Sequence, residues 1–113
     1  MSDCPLTAAL AAVGGKWKLI IIYWLAESPR QFLALRSLMP RISQKVLSEQ
    51  LHELIADGIV NQQRTGRVPA PVVYRLTAYG RSVLPIAKAV RLWGQRHIDR
   101  FAESSGTRTG QVP

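Results

Sequence analysis

At 113 residues, 47% of them apolar and only one a cysteine, the chain holds one domain with one core, and excludes both an intramolecular disulfide and a thiolate-rich zinc site. Fifteen Lys and Arg against seven Asp and Glu give a net charge of +8, which favours a polyanionic partner, nucleic acid ahead of an anionic membrane surface. The longest apolar run, Leu19 to Ala26, is far shorter than the roughly 20 residues a bilayer demands, and no charged-then-apolar leader opens the chain, so a cytoplasmic protein with no membrane partner is expected.

Pro5 suits a first helical position, where its missing N–H has no intrahelical partner, and Leu6, Leu10 and Val13 recur at helical spacing up to Gly14-Gly15; a short helix is predicted over 5–13. From Lys16 a second helix follows, because Trp17, Ile20, Ile21, Trp24 and Leu25 keep an i, i+3, i+4, i+7, i+8 pattern while Leu19, Ile22 and Tyr23 leave almost no polar side. Such a helix belongs in the middle of the core. After the Ser28-Pro29 break, Phe32, Leu35, Leu38 and Met39 mark a third, short helix that is poorly capped at its start and must stop before Pro40.

In the fourth helix, Ser43 stands ready to accept a hydrogen bond from the first turn, Leu47, Leu51, Leu54 and Ile55 are the buried stripe, and Gly58 is the left-handed terminator. Two β-prone runs, Ile59 to Thr65 and Val72 to Leu76, are joined by "GRVPAP", which suits an exposed hairpin loop. Thr77 then caps a long helix over about 78–102, with Ile86, Val90, Trp93 and His97 on one stripe and a bend at Pro85. The predicted domain is 1–103, and the polar, small-residue-rich 104–113 is a tail.

On a 100° wheel with Leu47 at zero, the buried residues of the fourth helix span about −20° to 80°, and Lys45, Ser48, Glu49 and His52 fall together between about 100° and 200°. Two short helices joined by a tight turn and followed by a two-stranded wing are the order of a winged helix-turn-helix, whose second helix enters the major groove. Gln44 has the amide to pair with an adenine edge, Lys45 the reach for guanine or phosphate, and Ser43, Ser48 and His52 groups that donate or accept. Arg64 and Arg67, in and beside the hairpin, are candidates for minor-groove or phosphate contacts, Arg67 foremost. For Arg75, phosphate contact and a structural or purely solvated role are equally good readings, as are phosphate contact and simple solubility for Lys16 and Lys18 at the start of the core helix.

The segments "CPLTAALAAVGGKWKLIIIYWL", "RISQKVLSEQLHELIADGIV" and "VPAPVVYRLTAYGRSVLPIAKAVRLWG" resemble, in order and spacing, the HxlR-type winged-helix transcriptional regulators, relatives of the MarR group. The resemblance implies a fold that is mainly α with a small β-hairpin wing, and a homodimeric regulator, a repressor in our reading, that binds an inverted-repeat operator in double-stranded DNA. It also implies a dimer interface built from helices at both chain ends, which here carry Leu6 and Leu10 on the first and Ile86, Val90, Trp93 and His97 on the last. Two departures stand out: Leu33 follows Phe32 where a capping residue is often found, and Arg67 and Val73 replace acidic wing residues, making this wing more basic.

Several members sense electrophiles or oxidants through a cysteine near the N-terminus, and Cys4 matches that position. If Pro5 is the first helical residue, Cys4 is the N-cap, where exposed N–H groups and the helix dipole lower a thiol pKa; Asp3 opposes this. A small apolar filler that only starts a helix is the competing reading. No cofactor, metal site or enzymatic constellation is expected, since the two histidines lie in different helices and no glycine-rich phosphate loop is present. Two other readings stay open: a winged-helix module for RNA or protein, and a regulator gated by a small molecule near Trp17, Tyr23, Trp24 and Trp93.

Overall fold

The computed structural model describes residues 4–64, 66 and 71–105. Helix α1 (Pro5–Val13) starts at Cys4 and Pro5 as predicted and ends at Gly14. Gly15 takes φ +90°, a left-handed turn that glycine enters without a Cβ clash, and α2 (Lys18–Glu27) begins two residues later than the apolar pattern suggested. The predicted stripe is only partly right. Ile21, Ile22 and Leu25 are buried at the centre of the core, whereas Ile20 is on the surface and Trp17 and Trp24 pack at the core's edge.

The sequence pattern gave no sign of strand β1 (Arg30–Gln31). Helix α3 (Phe32–Ser37) has no side-chain cap, as expected, and stops before Leu38 and Met39, of which Met39 turns inward. In α4 (Gln44–Ala56) the Ser43 hydroxyl oxygen accepts from the Val46 N–H at 3.0 Å, a cap worth about 1 kcal/mol. Leu47, Leu51 and Leu54 are buried, Ile55 half-buried, and Gly58 ends the element at φ +75°. Each of those leucines contributes about 1.5–3 kcal/mol by leaving water, so the greasy face of α4 is what presses its polar face outward.

Strands β2 (Val60–Arg64) and β3 (Val72–Leu76) pair antiparallel, Val60 opposite Leu76 and Arg64 opposite Val72. Strand β1 adds to the other edge of β3, giving the order β1-β3-β2 with Arg30 opposite Tyr74. Arg30 secures that edge strand: its Nε donates to the Trp24 carbonyl at 3.1 Å, its guanidinium pairs with Glu27 and it stands over the Trp24 ring. The predicted strand end at Thr65, Arg67 with most of the wing loop, and the tail from 106 onward lie outside the described residues.

The single long C-terminal helix predicted over 78–102 is in fact two. Helix α5 (Ala78–Arg81) ends at Ser82, and α6 (Leu84–Ser105) follows. Pro85 therefore sits in the first turn of α6, where its lack of an N–H costs nothing, and the bend expected inside a helix is a break before it. Helix α6 also overruns the predicted domain end. Thr77 knots the base of the wing to α5: its Oγ1 donates to the Gly58 carbonyl at 2.6 Å and accepts from the Gly80 N–H at 2.8 Å. Gly80 has no room for a Cβ, which would lie 2.1 Å from the Ile59 carbonyl oxygen. No single helix among the described residues is long and apolar enough to cross a membrane.

Candidate nucleic-acid interface

Helix α4 presents Gln44, Lys45, Ser48, Glu49 and His52 to solvent, with Ser43 exposed at its start. Lys45, 82% exposed, makes an i,i+4 ion pair with Glu49 at 3.4 Å. With the lysine N-terminal to the acid this is the weaker orientation against the helix dipole, so the pair opens readily when a stronger anion approaches. Ser43 is engaged in capping through its oxygen and keeps its O–H proton to donate. The polar row continues onto β2, where Asn61, Gln62, Gln63 and Arg64 are all exposed. Arg75 is tied to this strand, its Nε donating to Gln63 Oε1 at 3.1 Å.

Lys18 is placed neither on phosphate nor in solvent. Its side chain is buried and its Nζ lies 2.7 Å from Glu53 Oε1 on α4. Sequence reasoning missed this pair, because the partner is thirty-five positions away and only the packing of α2 on α4 joins them. It ties the recognition-helix candidate to the core.

The residues read as dimer-forming are apolar and uncovered in the single chain. Leu6 and Leu10 on α1 are more than 60% exposed, and Ile86, Val90 and Trp93 on α6 about half or more. His97 is half-buried, stacked on Trp93 at 4.9 Å between centroids and met edge-on by Phe101 at 4.7 Å. Leu92, Ile98 and Phe101, exposed on the same helix, were not among the predicted residues; the sequence pattern beyond His97 was the signal for Phe101. So much uncovered apolar surface on a small chain marks an interaction face.

Cys4 caps α1 from an exposed position. The backbone N–H of Thr7, then that of Leu6, then the Thr7 hydroxyl hold its thiol below the ordinary pKa, although its side chain makes no hydrogen bond that closes the helix end. Of the four aromatics considered for a small-molecule site, Tyr23 lines an apolar cleft of about 310 Å³ between α2 and α6, with Ile20, Val90 and Arg91 on its walls. No cluster of metal-binding side chains occurs among the described residues.

Two helices and a tight turn, a polar second helix facing out and an antiparallel wing define a winged helix-turn-helix transcriptional regulator of HxlR/MarR-like type. The HxlR-like helix-turn-helix family model matches residues 12–102, and the chain belongs to that family, one of transcriptional regulators. It is 43% identical over 98 residues to the HTH-type transcriptional regulator YtcD of Bacillus subtilis, covering 87% of this chain and 78% of YtcD. The YtcD crystal structure superposes with TM-score 0.79 over 86% of this chain and 99% of that one, at 40% identity. The redox regulator HypR in its reduced form gives TM-score 0.81 at 37% identity over 88% and 99% of the two chains, and its oxidised form 0.79 at 40% over 82% and 96%. YodB of B. subtilis is 32% identical over 105 residues, 92% of this chain and 90% of YodB; its reduced structure gives TM-score 0.72 at 31% identity over 84% and 94%.

Proposed function

We propose that this protein is a homodimeric repressor that binds an inverted-repeat operator, with α4 in the major groove and the wing on flanking backbone. The observation that carries this reading is the outward row of Lys45, Ser48 and His52, with Gln44 exposed at the helix start, on a helix whose other face is locked into the core. In the reading, Ser43, Gln44, Lys45, Ser48 and His52 meet base edges and nearby phosphates, and Arg64 and Arg67 grip the flanks. Leu6, Leu10, Ile86, Val90, Trp93 and His97 bury against a second copy. Two α4 helices then reach half-sites about 10 bp apart or a multiple of that.

Cys4 is the switch in this reading. Its lowered pKa makes a thiolate available for addition to a quinone, or for oxidation with the partner's Cys4, two thiols giving up two electrons and two protons to an oxidant such as diamide. Because Cys4 caps α1 beside Leu6, its modification acts on the dimer helices and alters the spacing of the two α4 helices. The likeness to HypR, named as a redox regulator, supports it.

Selection of random duplexes by the purified protein, with and without diamide or quinone, tests all parts together. The expected result is one palindrome preferred by at least about 10³-fold over random duplex, lost on treatment in the wild type and retained in Cys4→Ser. Enrichment of no duplex sinks the operator reading and leaves RNA, another protein, or DNA without sequence preference as the partner. Operator binding that is equal in Cys4→Ser and wild type, treated or not, removes the thiol switch. The cleft holding Tyr23 favours a second reading, a small apolar effector, whose mark is diamide-independent release by a compound that raises the melting temperature.

A further inference from the structure

The turn between α3 and α4 holds Arg41 at φ +80°, the one non-glycine residue with positive φ among the described residues. The reversal itself is needed: it lets Ile42 enter the core and sets Ser43 as the cap of α4. An arginine is not needed for it, since glycine takes this conformation without the clash between Cβ and backbone. Strain kept at an exposed residue is a pointer to what its side chain does.

Arg41 borders an open depression of about 360 Å³ whose lining also includes Arg36 and Ser37 of α3. Arg36 Nε donates to the Ile42 carbonyl at 3.2 Å, which fixes that guanidinium at the turn and leaves its terminal nitrogens for another acceptor. Neither arginine has a carboxylate within ion-pair distance among the described residues. Two forked donors at one depression suit a tetrahedral oxyanion.

We propose that Arg36 and Arg41 form a cradle for one backbone phosphate of duplex DNA, beside the point where α4 enters the groove. This rests on the reading of α4 as the DNA-facing helix: the helix before a recognition helix crosses the sugar–phosphate backbone, which brings the turn between them against it. A phosphate contact sets position and carries no base preference.

The test compares wild type, Arg41→Gly and Lys45→Ala on the palindrome recovered by selection and on a random duplex of about 30 bp, across a salt series. Arg41→Gly is expected to weaken both duplexes alike by about tenfold. It should also flatten the slope of log K against log salt by about 0.9 for each phosphate no longer neutralised, with a melting temperature unchanged or raised. Arg41→Lys should keep most of the slope while giving up part of the affinity, because it keeps the charge and lacks the fork. If Arg41→Gly binds with wild-type affinity and slope while Lys45→Ala is weakened, the cradle is wrong and the DNA-facing reading stands. A fall in melting temperature that accounts for the weaker binding overturns the cradle as well. If wild type shows no salt-dependent binding to either duplex, both readings fall.

Discussion

Replacing Glu53 by Gln removes the partner of Lys18 while keeping the shape of the side chain. Lys18 is 7% exposed and its Nζ lies 2.7 Å from a Glu53 carboxylate that is 55% exposed. Breaking a fully buried pair costs about 3–5 kcal/mol, because the remaining charge is stranded. An exposed pair contributes only about 0.2–1 kcal/mol. Water reaches one partner here and not the other, so about 2 kcal/mol is expected for Glu53→Gln, a fall of roughly 10 °C in melting temperature for a domain of this size. Lys18→Met should cost under about 1 kcal/mol, because it removes the buried charge, fills the same space with apolar atoms and leaves Glu53 in water. Urea unfolding followed by circular dichroism at fixed protein concentration measures both, the midpoint moving without a change in m. A Glu53→Gln protein within about 0.5 kcal/mol of wild type, or a Lys18→Met protein that loses more than Glu53→Gln, would refute the asymmetry and with it the tether between the core and α4.

Gly80→Ala should destabilise by about 1–3 kcal/mol, since the new methyl meets the Ile59 carbonyl oxygen at 2.1 Å; thermal unfolding reads this, and an unchanged melting point would mean the knot at the wing base yields freely. Val90→Asp puts a charge on the half-exposed face of α6 and should leave circular dichroism intact while sedimentation shows a monomer and operator binding falls. The Cys4 thiol, held low by the Thr7 and Leu6 amides, should be alkylated by iodoacetamide with a pH midpoint below that of a free cysteine peptide. The sign follows from the folded state favouring thiolate: its contribution to stability is present above the ordinary thiol pKa and is lost as pH falls through the lowered one. A midpoint at the ordinary value would remove the helix-start effect.

Local rules read most of this chain correctly because most of its elements announce themselves locally. Pro5, Ser43, Gly58 and Thr77 each fix an element boundary through one hydrogen bond or one φ value, and all four stand where the local pattern puts them. What escaped was set by distance or by shortness. Strand β1 has two residues and therefore no period. The break before α6 was read as a bend because a helical pattern runs through Ser82 and Val83 undisturbed, and only packing decides that Pro85 begins an element. For the candidate interface, the outward face of α4 was legible from a wheel. The pairings of its neighbours, Arg75 with Gln63 and Lys18 with Glu53, were not, because each depends on how distant segments pack.

Helix α1 has nine residues, and Val13 is the one it buries in the chain's own core. A helix that short, without tertiary support, is marginal in water because the cost of nucleation is spread over too few bonds. Its persistence therefore depends on what covers Leu6 and Leu10, and in an isolated protomer its amides should exchange with solvent far faster than those of α4. The same amides depress the Cys4 pKa. Fraying of α1 would return that sulfur to ordinary thiol behaviour, so if a second copy covers Leu6 and Leu10, as proposed, nucleophilicity at the chain's one cysteine belongs to the dimer, and dilution alone should dull it.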